Sequence, residues 1–170
     1  MHSSYRATFT NEATDDYLRH LDDLYLERQQ FDGYGEEVEA FMEKQKAYVQ
    51  AHPPIAIYRV ATQGSQTRDG GTILEATSEL EFILEDGRLR VAQKGDQAVY
   101  PDGTTARIVT TAGAANSNIA LVGSRLSNGD EIINTLQGRF LIIVREGVVM
   151  ADDFLPALRL AEVHRLFSNE

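Results

Sequence analysis

The sequence predicts a mainly β fold: a small β domain with threefold internal repetition, preceded by an α-helical hairpin and followed by a short C-terminal helix. Three observations carry this. One short pattern is written three times: Ala, two residues, Gly, then Ser or Asp, a gap, Asp or Asn followed by Gly, and finally Ile. The copies run from Ala61 through Gly64-Ser65 and Asp69-Gly70 to Ile73, from Ala92 through Gly95-Asp96 and Asp102-Gly103 to Ile108, and from Ala120 through Gly123-Ser124 and Asn128-Gly129 to Ile132. They recur about 30 residues apart, a period typical of stacked or symmetric repeats. Closely spaced turn dipeptides then separate short β-branched runs across residues 55–151, which argues for a compact all-β unit. Helical periodicity, by contrast, is confined to the two ends of the chain.

The helical hairpin is expected over residues 14–51. Tyr17, Leu18, Leu21, Leu24 and Tyr25 recur at helical spacing, with Asp15, Asp16, Asp22, Asp23 and Glu27 mostly around the other face. Thr14 is a suitable N-cap, because its hydroxyl can accept an otherwise unpaired backbone N–H. Asp32-Gly33-Tyr34-Gly35 breaks the first helix after Phe31, since glycine reaches positive φ values that other residues resist. The second helix carries Val38, Phe41, Met42, Tyr48 and Val49 on one side. His52-Pro53-Pro54 ends it, because proline lacks the N–H and disfavours helix at the residue before it.

Strands are expected at Ile55–Val60, Leu80–Leu84, Leu89–Ala92, Ile108–Thr110, Ile119–Val122 and Phe140–Val144. Asp69-Gly70, Asp86-Gly87, Asp102-Gly103, Asn128-Gly129 and Glu146-Gly147 supply the turns. Asp153 can cap a final helix through Leu158 to Leu166, with Pro156 in its first turn. The expected division is therefore 1–52 for the hairpin, 53–151 for the β domain and 152–170 for the last helix.

Composition removes several classes of function. With 170 residues, no cysteine and a net charge of −10, the chain excludes disulfides and any thiolate metal site. Such a charge repels phosphate backbones, so nucleic acid is not an expected partner. The apolar run Phe140–Val144 is far short of the roughly 20 residues of a membrane helix. Met1-His-Ser-Ser-Tyr-Arg does not read as a secretory signal, and a cytoplasmic start is expected. His2, His20, His52 and His164 fall outside the repeats and share no catalytic spacing. The acid pairs Asp15-Asp16, Asp22-Asp23 and Glu36-Glu37 read as a solvated helix face rather than an acid–base pair, which needs two differently tuned carboxyls. Nucleophile-elbow and phosphate-loop patterns are absent. No enzyme is expected. The alternative from another class is a small β enzyme or carbohydrate-binding module with a helical lid.

The β region resembles the PAAR domain, the small cone that caps the trimeric spike of the type VI secretion system and related injection machines. Asp69-Gly70-Gly71-Thr72-Ile73-Leu74, Asp86-Gly87-Arg88 through Ala92-Gln93-Lys94-Gly95-Asp96, Tyr100-Pro101-Asp102-Gly103-Thr104, and Ala120 through Asn128-Gly129 carry the resemblance. It covers roughly residues 58–147. The naming tetrapeptide Pro-Ala-Ala-Arg falls on Arg90-Val91-Ala92-Gln93, where one residue agrees, so the motif is degenerate. The resemblance implies a conical, pseudo-threefold β domain. One copy would cap a trimeric (VgrG-like) spike protein and recruit effector cargo through the helical extensions, held in the cytoplasm before being fired out or into a target cell.

Usual family members bind zinc near the vertex through His and Cys beside the glycine turns. Here those neighbourhoods carry Asp69, Tyr100, Asp102 and Asn128. Zinc prefers nitrogen and sulfur ligands, and calcium wants six to eight oxygens, so no metal or other cofactor is expected. Asp69, Gly70, Asp102, Gly103, Asn128 and Gly129 are assigned as structural tip and turn positions, with no catalytic residue.

Overall fold

The computed structural model describes residues 7–28, 35–85 and 87–155. Among the described residues are two α-helices and seven short strands in three small sheets, with antiparallel pairing in the two whose register is given below. Two compact units are present. Among the described residues, 7–11, 58–141 and 150–155 form a β unit, and 12–57 with 142–149 form a helical unit.

In the helical unit, α1 (Asp15–Arg28) begins where Thr14 caps it: the Thr14 Oγ1 accepts the Tyr17 N–H at 3.0 Å. Helix α2 (Glu36–Ala51) starts after Gly35 at φ +97° and ends at His52, before the two prolines. Its expected apolar side is only half covered, since Val38, Met42 and Val49 are part-buried while Phe41 and Tyr48 are exposed. Strands β1 (Pro54–Arg59) and β7 (Leu141–Arg145) pair as a two-stranded sheet. The segment 29–34, where the first helix was expected to break, and residues 156–170, where the last helix was expected, lie outside the described residues. Asp153, expected as its cap, lies within the described residues. Its Oδ2 accepts the Ala114 N–H at 2.9 Å and caps the 3₁₀ turn Ala114–Asn116.

The β unit is built from the three copies, and one rule explains their shared residues. Ser65, Asp96 and Ser124 donate their N–H to Thr62, Gln93 and Leu121 at 3.0, 3.1 and 2.9 Å, closing a four-residue turn each time. Its third residue is Gly64, Gly95 or Gly123, at φ +91°, +91° and +105°. That conformation is the one a type II turn demands there, and only glycine adopts it without strain. The side-chain oxygens of Ser65, Asp96 and Ser124 accept the N–H of Thr62, Gln93 and Leu121 at 3.0, 2.9 and 2.9 Å. Hence the pattern needs glycine followed by a short polar residue.

Each turn leads into a hairpin. Gly64, Gly95 and Gly123 donate to the carbonyls of Ile73, Ile108 and Ile132 at 2.7, 2.9 and 2.8 Å. The hairpins are tied into a ring. Strand β2 (Thr72–Ile73) pairs with β5 (Gln97–Val99), joining the first copy to the second, and β5 pairs with β6 (Thr105–Arg107). Val109 N donates to Arg125 O and Ser127 N to Arg107 O, joining second to third. Arg68 N donates to Glu131 O and Ile133 N to Gln66 O, which closes third on first. Closure leaves no copy with an unpaired flank, the condition under which edge strands invite aggregation.

A second ring lies at the starts of the copies. Ala61 N donates to Ala120 O, Ala120 N to Ala92 O and Ala92 N to Ala61 O, at 2.9, 2.8 and 3.0 Å. All three alanines are fully buried. Together with Ile73, Ile108, Ile132, Leu126, Ala98 and Ala106 they make the core. Strand alternation then turns the next residues outward, so Leu74, Val109 and Ile133 are about half exposed.

Two strand expectations are corrected. Ile108–Thr110 and Ile119–Val122 are not strands but single bridges, Ile108 to Leu126, Ile119 to Gln93 and Leu121 to Val60. The chain there bonds a different copy every one or two residues, which cuts a β-branched run into isolated rungs. The remaining hairpin, β3 (Glu81–Leu84) with β4 (Gly87–Arg90), agrees in register with a two-residue loop, Leu84 standing opposite Gly87. Phe82 in it stacks on Phe140, with ring centroids 3.8 Å apart.

Candidate functional site

The three Asp-Gly or Asn-Gly turns come together. Gly70, Gly103 and Gly129 have φ +95°, +87° and +85°, and donate to the carbonyls of Thr67, Tyr100 and Leu126 at 3.2, 2.9 and 2.9 Å. Thr67, Tyr100 and Leu126 in turn donate to Gly71, Thr104 and Asp130 at 2.9 Å each. A left-handed glycine followed by such a return bond is the usual device for closing a three-residue hairpin loop. Asp69, Tyr100, Pro101, Asp102, Thr104 and Asn128 line a shallow cavity of about 290 Å³ between these turns.

Most polar side chains here serve the turns themselves. Asp102 Oδ1 accepts the Thr104 hydroxyl at 2.6 Å and the Thr104 N–H at 3.0 Å, and these bonds hold the Asp102 carboxyl below its usual range. Asn128 Oδ1 accepts the Asp130 N–H at 3.0 Å, and its amide donates to the Tyr100 hydroxyl at 2.9 Å. Asp69 is exposed beside Arg68, at 3.5 Å. Such short-range bonding is what favours Asp and Asn in turns.

The residue that joins the turns is Asp130, which the sequence analysis did not single out. It is fully buried. Its Oδ2 accepts the Tyr100 hydroxyl at 2.5 Å, and its Oδ1 accepts the N–H of Asp69 at 3.1 Å and of Glu131 at 2.7 Å. Burial pushes the Asp130 carboxyl up, but hydrogen bonds from Thr67, Tyr100, Glu131 and Asp69 outweigh it and hold the group below the usual range. Burial and the bond to this carboxylate push the Tyr100 phenol up. The only sequence signal was weak: an acid two residues beyond Asn128.

The donor set does not suit the zinc that the family resemblance implies. Asp130, Tyr100 and Asn128 are all oxygen or amide groups, and they are engaged with one another. Zinc wants nitrogen or sulfur in a closed tetrahedron. Among the described residues, no three His, Cys, Asp or Glu side chains are placed to share a metal ion.

A larger cavity, about 400 Å³, lies beside Gly95 and is lined by Leu74, Thr77, Val99, Arg107 and the Asp96 side chain. Asp96 is already satisfied there, by the Thr77 hydroxyl at 2.5 Å and the Thr77 and Gln93 amides at 3.1 and 2.9 Å. The equivalent places are covered by the chain itself, by Leu136 at Gly64 and by Tyr58 and Leu155 at Gly123.

Comparison of the chain with protein-family models, with curated proteins and with solved structures finds no match.

Of the other candidates, His20 and His52 bond to backbone carbonyls of Asp16 and Glu146 at 2.7 and 2.8 Å. His2 and His164 lie outside the described residues. Asp15, Asp16, Asp23, Glu36 and Glu37 are exposed. Asp22 departs from the solvated face expected of it: it is buried and holds Arg145 through two bonds, at 2.6 and 3.0 Å. Among the described residues no helix is long and apolar enough to cross a membrane.

Proposed function

We propose that the chain is a non-enzymatic spike tip: a conical, pseudo-threefold, PAAR-like domain that caps a trimeric spike protein of a type VI-like secretion machine, one copy per trimer. The observation that carries this reading is the closed Ala61–Ala120–Ala92 hydrogen-bond ring. A trimer offers three equal sites around one axis, and a single chain meets all three only if its own backbone repeats three times. Leu74, Val109 and Ile133, one exposed aliphatic per copy, stand at the hairpin ends remote from the turns, and each would meet one spike chain. The physical gain is to cover strand edges at the end of the spike. The helical unit would recruit or carry an effector. Residues 1–52 hold eleven acidic and five basic side chains, a balance that suits a partner with a basic patch.

The test is co-expression with trimeric spike proteins and native mass spectrometry. Three spike chains to one cap is the expected mass. The triple variant Leu74→Asp, Val109→Asp, Ile133→Asp should remain folded and lose the complex. Absence of any complex, or a one-to-one complex, overturns the reading.

The cavity with Asp69, Tyr100 and Asp102 on its walls favours a second reading, a carbohydrate-binding module. Binding on a glycan array that Asp102→Ala abolishes would support it. Its polar groups being spent on internal bonds weighs against it.

A further inference from the structure

We infer that the Asp130 carboxylate is the cross-link that locks the three turns together, so that this end of the β unit is held by protein groups alone where the tips this chain resembles use a metal. The count of groups supports it. Three donors reach its two oxygens: the Asp69 N–H from the first turn, the Tyr100 hydroxyl from the second and the Glu131 N–H beside the third, at 3.1, 2.5 and 2.7 Å. An ionised carboxylate offers about four acceptor positions, so one group can tie all three turns.

The places where the repeat is least faithful build this hub. Asp130 is equivalent to Gly71 and Thr104, and Tyr100 to Thr67 and Leu126, by their shared turn bonds. Only one copy can supply a carboxylate to a point shared by three, because three together would repel. Only one can supply a long phenol. Copy one must be glycine at residue 71, since a Cβ there would lie 2.9 Å from Thr67 Oγ1 and 3.0 Å from the Tyr100 ring.

The inference does not rest on the capping role, because its readouts use the free full-length protein. Thermal melting is measured with and without a chelator and with added zinc, alongside elemental analysis. Amide hydrogen exchange is measured in wild type, Tyr100→Phe and Asp130→Asn. Expected are no change of melting temperature with chelator or zinc, and no stoichiometric metal. In Asp130→Asn the Asp69 and Glu131 amides should exchange about tenfold faster or more, as loss of the charged acceptor implies, and in Tyr100→Phe they should exchange faster by a smaller factor, because the carboxylate loses the donor that fixes its other oxygen, while the Gly70 amide, which bonds only within its own turn, changes less. Tyr100→Phe in the Asp130→Asn background should add little. Should Asp130→Asn fail to fold, Tyr100→Phe, which deletes a single hydroxyl, still reads the effect. A chelator-sensitive melt, one zinc per chain, or unchanged exchange at Asp69 and Glu131 overturns it.

Discussion

Gly64 and Gly95 share a φ of +91°, so the same backbone strain, about 1–2 kcal/mol for an L-residue in that region, applies to alanine at either position. Their surroundings differ. At Gly95 no described atom lies within 4 Å of an added Cβ, whereas at Gly64 the Leu136 Cδ1 lies at 2.4 Å. Gly95→Ala should therefore cost about the strain alone, and Gly64→Ala more, because Leu136 must move. Denaturant unfolding of the two variants measures the difference, and repeating the pair in a Leu136→Ala background should remove it. Equal costs with Leu136 intact would refute the packing of Leu136 on the first copy. These glycines were legible in the sequence because the demand for positive φ is local to four residues. Asp130 was not, because its role exists only once turns from three copies, separated by about 30 residues each, have converged.

Elements were legible in proportion to how far their pattern runs. Helix α1 and its Thr14 cap follow from a 14-residue periodicity, while β2, β5 and β6 are two or three residues long and offer no alternation to read. Strands of this size are held by the ring that they close. The solvated acidic face expected of α1 failed at Asp22 for a related reason: Arg145 lies 123 positions away and no local pattern announces it. The pair is bidentate and largely shielded, and Arg145 also donates to the His52 carbonyl at 3.1 Å. Hydrogen bonding to Asp22 raises the Arg145 pKa against the opposing effect of burial. Removing one partner strands the other, which costs about 3–5 kcal/mol for a buried pair. Asp22→Ala should approach the lower end of that range, because Arg145 retains the His52 carbonyl. Its exposed neighbour should not, and Asp23→Ala is expected within about 0.5 kcal/mol of wild type. Equal urea midpoints for the two variants would show that the ion pair contributes nothing.

At the scale of the molecule, the sequence suggests removing residues 1–52 as a detachable hairpin, and the structure changes what that experiment should give. Residues 7–11 belong to the β unit. Phe9 exchanges backbone hydrogen bonds with Thr135 and lies so close to Gly138 that a Cβ there would meet its ring at 2.6 Å. Asn11 accepts the Arg59 N–H and donates to the Val122 carbonyl, both at 2.7 Å, which ties the start of the chain to the third copy beside Val122 N–H to Arg59 O. A chain beginning at residue 53 loses all of these bonds, at about 0.5–1.5 kcal/mol each. A chain that keeps 1–13 and replaces 14–51 by a flexible Gly and Ser linker keeps every residue that makes these bonds. The second variant should therefore melt well above the first when both are soluble. If the repeats alone set stability, the two will melt together, and residues 7–11 will have been shown to be dispensable to the ring.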